Sequence, residues 1–170
     1  SWTMYAGQHW AITGPNGAGK SILVNAICRT ISVIEGRILY YFDTDDEGIP
    51  RSRSYFTRGE VVKISTDTQK ELLQTYGGYH QARWQRFEAA DAPTVSDLLT
   101  GKSIEHISPH EASPLQTDDA VYQARRYHAV DLLDIKYLLH RKILHISHGE
   151  GRKVLLARAL MQVPKLLILD

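Results

Sequence analysis

The sequence predicts an α/β fold with a parallel sheet core, an antiparallel β edge and a helical insert. Three observations lead to this prediction. A glycine-rich loop at residues 14–21 (GPNGAGKS) stands between an apolar strand pattern and an apolar helix pattern. Residues 69 to about 139 are mostly helical in character, and residues 166–170 (LLILD) form an apolar run that ends in a carboxylate. An uninterrupted apolar strand is expected in a parallel sheet that is covered on both faces.

The glycine loop matches the phosphate-binding pattern G-x-x-x-x-G-K-[ST] at every fixed position. Residues 9–13 ahead of it predict a short buried strand, and residues 21–28 behind it predict a helix. Glycines let successive N–H groups point inward, and the helix N-terminus adds partial positive charge, so the loop forms an anion nest. Lys20 supplies a charge for the outer phosphates, and the Ser21 hydroxyl is a ligand for Mg²⁺. A glycine turn without a ligand would not require Lys followed by Ser, so we predict a nucleoside triphosphate site.

Residues 37–42 (RILYYF) are rich in β-forming side chains and predict a strand. The acidic run at 43–48 is interpreted as a hairpin turn, because a calcium loop would need Glu rather than Ser54 at its twelfth position. A further strand is predicted to end at residues 61–64 (VVKI). The basic side chains of this hairpin indicate a solvated edge, with a nucleic-acid patch as the alternative. They are Arg51, Arg53, Arg58 and Lys63.

Two helix starts are predicted within residues 69–144. Thr94 and Asp97 have the spacing of a helix start after Pro93. Asp118 and Asp119 open an amphipathic stretch. Its apolar residues, expected on roughly one side, are Val121, Ala124, Ala129, Leu132 and Leu133. The aromatic residues of the insert are interpreted as packing residues, with an exposed partner surface as the alternative; they are Tyr76, Tyr79, Trp84 and Phe87.

Residues 147–150 (SHGE) precede an apolar helix that is predicted to reach about Gln162. Ser147 and Glu150 have the spacing of a capping box. A helix N-terminus with a hydroxyl and a glycine is also an anion site, so both interpretations stay open. Asp170 follows the predicted strand at its carboxyl end, where ligands lie in open α/β sheets. It is therefore a candidate Mg²⁺ ligand.

Three motifs of this sequence are the glycine loop (residues 14–21), the SHGE segment (147–150) and the strand with its aspartate (166–170). In this order they resemble the Walker A, signature and Walker B motifs of the ATP-binding cassette (ABC) ATPases. Arg152 and Lys153 extend the signature resemblance. Within that family, the sequence resembles most the molybdate-transport and photorepair type of ATP-binding protein. The segments that carry this nearer resemblance are residues 7–14, 92–99 and 147–160.

The resemblance implies a P-loop NTPase with a RecA-like parallel sheet core. Residues 1–170 would be a partial ABC ATPase domain, truncated at both ends. Its nucleotide-binding core would comprise residues 1–68 and 145–170, and its helical subdomain residues 69–144. The implied cofactors are ATP and Mg²⁺. Two such domains, as a homodimer or a tandem cassette, would pair head to tail, with ATP between the Walker A motif of one and the signature of the other.

The resemblance also implies roles for individual residues. Gln69 falls where the family has its Q-loop glutamine, which touches the metal and relays nucleotide state to the helical subdomain. The implied catalytic residues are Lys20, Gln69 and Asp170, and the implied metal ligands are Ser21, Gln69 and Asp170. The implied nucleotide-binding residues are Gly14, Asn16, Gly17, Ala18, Gly19, Lys20, Ser21, Ile22, Ser147, Gly149 and Glu150.

The sequence departs from the family pattern in several places. His148 stands where the first signature glycine is usual, and Ile22 replaces a hydroxyl residue that often follows the Mg²⁺ ligand. The adenine-stacking residue is unassigned, because Trp2 lies too near the loop. The family's catalytic glutamate comes directly after the Walker B aspartate, where this sequence ends. We therefore expect the longer parent to be an ATPase, and this chain to bind MgATP weakly and hydrolyse it negligibly.

The implied function is the ATP-hydrolysing component of an ABC transporter, with a membrane permease as partner, in the cytoplasm or peripheral on the inner face of the cell membrane. The net charge of +1 argues against a wholesale nucleic-acid binder, and the single cysteine fits a reducing compartment. No run approaches the ~18–20 apolar residues of a membrane span. The alternative is a soluble ABC-type ATPase that clamps on nucleic acid, with Arg51, Arg53, Arg83 and Arg86 as a basic face. A third interpretation is a nucleotide-binding fragment with no function of its own.

Overall fold

The computed structural model describes residues 2–42, 60–68, 70, 92–100 and 119–170. The chain divides into two compact units, Ser1–Tyr55 and Phe56–Asp170. The glycine loop belongs to the first unit, whereas the SHGE segment and Asp170 belong to the second. Several predicted features lie outside the described residues: the hairpin turn at 43–48, Gln69, the insert aromatics Tyr76, Tyr79, Trp84 and Phe87, and the basic residues Arg51, Arg53, Arg58, Arg83 and Arg86.

Helix α1 (Lys20–Ile27) follows the glycine loop in the first unit. It starts after Gly19 and ends at Cys28, whose N–H donates to the Val24 carbonyl at 2.8 Å. Val24 is the buried side chain of the helix, at 8% exposure. The helix predicted over residues 21–28 is therefore confirmed to within one residue at each end.

The predictions of two strands in this unit, at residues 9–13 and 37–42, are wrong. Residues 9–13 and 37–42 take part in no β-ladder, and residues 9–13 are exposed. Residues that favour strands do so because their side chains suit a pleated, half-buried surface, more than because of an intrinsic backbone preference. A segment with this pattern therefore forms a strand only where a neighbouring segment pairs with it. Among residues 2–42 no such neighbour is present. The antiparallel edge expected here therefore has no ladder in the described part of the chain.

The second unit contains a parallel pair of strands, β1 (Val61–Ile64) and β2 (Leu166–Leu169). Val61 pairs with Leu166, and Ile64 pairs with Leu169. Both strands were predicted, and both are confirmed. The pairing joins segments that are far apart in sequence, so a long crossover connects them, as parallel strands require.

Helices form the rest of the second unit: α2 (Val95–Leu98), α3 (Asp119–Leu132) and α4 (His148–Met161), with 3₁₀ turns at Lys136–Leu138 and Ile143–His145. Helices α3 and α4 pack against each other, and α4 also contacts β1. One buried apolar cluster joins these elements. Its members are Val95, Leu98, Leu99, Ala129, Val130, Ile135, Leu138, Ile143, Val154, Leu155, Ala157 and Met161.

Helix α2 is only one turn long and is held by a distant segment. Thr94 and Asp97 form a capping box, as their spacing predicted. The N–H of Val95 donates to the Arg141 carbonyl at 2.9 Å, and the N–H of Ile143 donates to the Pro93 carbonyl at 3.0 Å. These bonds satisfy amides that a helix start leaves without a partner inside the helix. They therefore dock α2 on residues 139–143.

The buried face of α3 differs from the predicted one. Ala129 is buried and Leu133 is packed against the core, but Val121 and Leu132 are 40% and 62% exposed. The inward face instead includes Tyr122 and Arg126. The Arg126 guanidinium donates to the Ser96 hydroxyl at 2.6 Å. An arginine can bury its stem on the apolar side of a helix while its head finds a polar partner, and this hides the true face from a pattern search.

Candidate nucleotide-binding site

The glycine loop has the backbone conformation that the phosphate pattern demands. Gly17 and Gly19 have φ angles of 82° and 89°, in the left-handed region. A Cβ added at either position would meet no atom within 4 Å, so backbone conformation rather than lack of space requires glycine there. The first turn of α1 follows Gly19 at once. The N–H groups of this first turn, whose helical acceptors would lie before the helix begins, are therefore directly at the end of the loop. This is the arrangement of an anion site at a helix N-terminus.

Lys20 folds back over the loop. Its ammonium donates to the carbonyl oxygens of Gly14 and Pro15, at 2.9 Å each. An ammonium has three N–H donors, so these two bonds hold the charge at the loop while one donor remains for an anion. The Ala18 N–H donates to the Pro15 carbonyl at 3.3 Å and tightens the turn. The positive charge is thus held by the two carbonyls at the start of the glycine loop.

The other predicted residues of the loop lie around this centre. Asn16, Ala18, Ser21 and Ile22 are exposed. Ile22 is 65% exposed and offers no polar atom beyond its backbone. The structure therefore brings together the whole predicted loop set, from Gly14 to Ile22, within one compact unit.

A residue that sequence reasoning missed holds the far end of α1. The Tyr40 hydroxyl donates to the Ile27 carbonyl at 2.6 Å, and the Arg29 guanidinium lies 4.4 Å from the centre of the Tyr40 ring. Burial raises the pKa of Tyr40, and the neighbouring Arg29 charge opposes that rise. Tyr40 was part of a predicted strand, so its role as an anchor for the helix carried no separate signal in the sequence.

The SHGE segment begins α4 with a complete capping box. The Ser147 N–H donates to Glu150 Oε2 at 2.7 Å, and the Glu150 N–H donates to Ser147 Oγ at 3.3 Å. Arg141 adds an ion pair to Glu150 Oε1 at 3.6 Å. The hydrogen bond from the Ser147 backbone, followed by that from its hydroxyl, lowers the pKa of Glu150. The capping interpretation of this segment is therefore confirmed in the geometry.

Acidification should weaken this cap. Because the pKa of Glu150 is lowered on folding, its charge stabilises the folded state above the unfolded pKa of about 4.3, and that stabilisation is lost as the pH falls through the folded pKa. We expect the full-length protein to unfold at a higher temperature than its Glu150→Gln variant at pH 7. This gap, the difference between the two unfolding temperatures, should close in strong acid. Thermal unfolding at a series of pH values measures the gap. Asp131→Asn, an exposed change on α3, serves as the control; an equal pH response of both variants would contradict the assignment.

Two residues of the first turn of α4 are exposed on the surface of their unit. His148 and Gly149 are exposed, and a Cβ added to Gly149 would meet no atom within 4 Å. Gly149 does not have a positive φ, so neither space nor backbone conformation in this chain requires glycine there. No requirement for glycine at this position arises from the part of the chain that the structure describes.

Asp170 stands directly after β2. Its N–H donates to the Ile64 carbonyl at 2.8 Å, which continues the ladder by one residue, and its Oδ2 lies 3.1 Å from Lys63 Nζ. Among the described residues no group of three His, Cys, Asp or Glu side chains could hold a metal ion. Mg²⁺ bound with a nucleotide needs only one or two carboxylates, because phosphates and water complete its shell. A single carboxylate such as that of Asp170 would therefore be enough for an ion that arrives with a nucleotide.

The segment before Gln69 is ordered by local hydrogen bonds. The Ser65 N–H donates to Thr68 Oγ1 at 3.3 Å, and the Thr68 N–H donates to Ser65 Oγ at 3.2 Å. Residues 66–68 are helical. Gln69 itself lies outside the described residues, so its predicted role stays a prediction.

A glycine loop that starts a helix and a parallel strand that ends in aspartate are the marks of the P-loop class of nucleotide-binding proteins. The comparison with protein families agrees and is more specific. A family model described as ABC transporter matches residues 1–170. The chain belongs to this family.

Several curated proteins are similar to the chain. The ABC transporter ATP-binding protein ModF of Escherichia coli is 29% identical over 99% of this chain, which covers 28% of ModF. The molybdate/tungstate import ATP-binding protein WtpC of Pyrococcus horikoshii is 30% identical over 100% of the chain and 39% of WtpC. The zinc import ATP-binding protein ZnuC of Psychrobacter arcticus is 45% identical over 94% of the chain and 47% of ZnuC. The chain thus spans less than half the length of these relatives.

The resemblance to ABC ATPases, with ModF- and WtpC-like proteins among the relatives, is therefore confirmed. The expected P-loop class, with a parallel sheet and helices, is confirmed as well. Within the described residues, no helix is long and apolar enough to cross a membrane.

Proposed function

We propose that this chain is the nucleotide-binding part of the ATP-hydrolysing component of an ABC transporter. The observation that carries the proposal is the glycine loop, in which two left-handed glycines hold the backbone around the Lys20 ammonium. Family membership supports ATP as the nucleotide. In the full-length protein, binding of MgATP and head-to-tail pairing of two such domains would be coupled to transport.

Different groups of the site are proposed to bind different parts of MgATP. The backbone N–H groups of residues 16, 17 and 19 and the α1 N-terminus contact the phosphates, while the Ala18 N–H donates to the Pro15 carbonyl. Lys20 binds the outer phosphate oxygens. Ser21 and Asp170 are the proposed Mg²⁺ ligands, together with Gln69. The bound ion would neutralise charge on the phosphates during transfer to water. Lys20 stabilises the same developing charge through its remaining donor, and it needs no reorganisation because the loop carbonyls already hold it.

The SHGE segment is proposed to serve the partner domain's nucleotide. Gly149 is exposed on the first turn of α4, and the described residues around it give no reason for glycine at that place. A backbone that must approach a phosphate closely is a common reason for glycine. Ser147 and Glu150 hold the α4 N-terminus in shape through their capping box, so its N–H groups face an incoming anion without rearrangement.

The transported substrate is outside this proposal. The relatives are named for zinc and for molybdate or tungstate, so similarity alone does not select one. A membrane permease is the proposed partner, because WtpC and ZnuC are named as import ATP-binding proteins. The inner face of the cell membrane is the proposed location. The nucleic-acid clamp is not favoured, because the relatives are named as transporter or import ATP-binding proteins. The four arginines of its predicted basic face lie outside the described residues.

A negative charge at Gly149 tests the pairing of two domains. Gly149→Asp should fold well, because the position is open and an acidic residue in the first turn of a helix is favourable. We expect ATP-dependent dimerisation of the full-length protein to weaken at least tenfold, because the carboxylate would repel the phosphate of the partner's ATP. ATP binding by the monomer should stay unchanged, because the monomer's own nucleotide is proposed to bind at the glycine loop and not at the SHGE segment.

Sedimentation velocity with and without ATP measures the dimerisation. Gln123→Asp, an exposed substitution on α3 that changes the net charge equally, is the matched control. Full dimerisation by a stably folded Gly149→Asp variant would refute the head-to-tail arrangement.

A further inference from the structure

The pair formed by Lys63 and Asp170 stands at the place where the proposed metal ligand leaves the sheet. Lys63 lies on β1 opposite Ile168 of β2, and Ile64 lies opposite Leu169. The Lys63 ammonium reaches along the sheet to Asp170 Oδ2 at 3.1 Å. The Asp170 N–H also donates to the Ile64 carbonyl, so the backbones of both partners are held in one ladder.

This ion pair is partly buried, with 25% of the Lys63 side chain and 24% of the Asp170 side chain exposed. Charges that are removed from water interact more strongly than fully exposed ones, because water screens them less. The ladder also limits the backbone freedom that a loop-borne pair would have to lose. Lys63 therefore places a positive charge in direct contact with the Asp170 carboxylate.

We propose that Lys63 is an internal cation that competes with divalent metal at Asp170. The inference rests on the proposed role of Asp170 as a Mg²⁺ ligand. Mg²⁺ binds carboxylate oxygens at about 2.0–2.1 Å, so an ion on this carboxylate would lie only about 5 Å from the ammonium. Two positive charges at that distance repel each other, and free metal consequently binds weakly.

The same repulsion makes the site selective for metal that arrives with a nucleotide. Triphosphate oxygens bring negative charge beside the ion, and this charge offsets the ammonium. Free Mg²⁺ has no such compensation. Lys63 thus favours MgATP over free Mg²⁺ at Asp170 and keeps the carboxylate paired before the nucleotide binds.

The test is a titration of the full-length protein with Mn²⁺ alone, followed by electron paramagnetic resonance of the unbound ion. We expect Lys63→Met to bind Mn²⁺ at least about tenfold more tightly than the wild type, because even at the dielectric constant of water the repulsion at this distance is worth roughly that factor. Lys63→Arg keeps the charge and should stay as weak as the wild type. With ATP present, the gain for Lys63→Met should shrink.

Lys165→Met is the matched control. It removes the same charge from the residue before β2, at the other end of that strand, where Lys165 is exposed. We expect no change in its Mn²⁺ affinity. Equal affinities of Lys63→Met and wild type, or an equal gain for Lys165→Met, would overturn the competition. Thermal unfolding of each variant verifies that the sheet is intact.

The Asp170→Asn variant separates this proposal from the one on which it rests. Made in the Lys63→Met background, it should abolish the tightened Mn²⁺ binding. Tightened binding that survives Asp170→Asn would remove Asp170 from the metal site and end both proposals. If Mn²⁺ binding depends on Asp170 but not on Lys63, only the proposal that Lys63 competes with metal is overturned, and Asp170 remains the proposed metal ligand.

Discussion

Replacing Lys20 with alanine should lower the ATP turnover of the full-length protein by at least about 100-fold, which is the cost of removing one preorganised donor from a developing charge. The structure places the Lys20 ammonium on the loop itself, 2.9 Å from the carbonyls of Gly14 and Pro15. No neighbouring side chain of the loop carries a replacement charge. We also expect the affinity for ATP to fall, since the outer phosphates lose their cation.

Phosphate release under saturating ATP and equilibrium binding of a fluorescent ATP analogue measure the two effects. Lys136→Ala removes an equal charge from an exposed 3₁₀ turn and should leave both values near those of the wild type. Turnover of Lys20→Ala within a fewfold of the wild type would show that the loop does not act on the phosphates.

Leu138→Ala should cost the second unit about 2–5 kcal/mol of folding free energy, the range for a leucine deleted from a packed core. Leu138 has 0% exposure and lies in the cluster that joins α2, α3 and α4. Domains of this size are stable by only about 5–15 kcal/mol, so the variant should unfold at a clearly lower temperature or denaturant concentration.

Leu132→Ala provides a control with identical chemistry six positions earlier. Leu132 is 62% exposed at the end of α3, so its truncation should cost less than about 0.5 kcal/mol. Urea unfolding of the two variants compares them directly. The sequence pattern had placed Leu132 on the packed side of the helix, and a large loss at Leu132 with a small one at Leu138 would favour that assignment over the structure.

Local signals in the sequence predicted the elements that depend on local chemistry. Thr94 and Ser147 start helices because their side chains bond to amides three residues ahead, and this needs nothing from the rest of the fold. The glycine loop was found for the same reason, since the φ angles of Gly17 and Gly19 are local properties. The strand at residues 166–169 was visible because four consecutive apolar residues suit a parallel sheet.

Features that depend on distant partners escaped the sequence analysis. Residues 9–13 and 37–42 look like strands, but a strand needs a neighbour, and the described part of their unit supplies none. The pairing of Lys63 with Asp170 depends on the register of two strands that are remote in sequence, and no pattern encodes that register. The sequence pattern did not predict Arg126 on the inward face of α3, because an arginine there breaks the apolar period of the helix.

The docking of α2 on residues 139–143 has a consequence for how this family can vary in length. The hydrogen bonds of Val95 and Ile143 close a long loop of chain, and the entropy of closing such a loop grows only slowly with its length. Doubling the loop costs about 0.6 kcal/mol, less than one buried leucine contributes. Added residues that form a flexible loop between Val95 and Ile143 should therefore be tolerated thermodynamically. Evolution can lengthen or shorten this connection without dismantling the core that carries the SHGE helix.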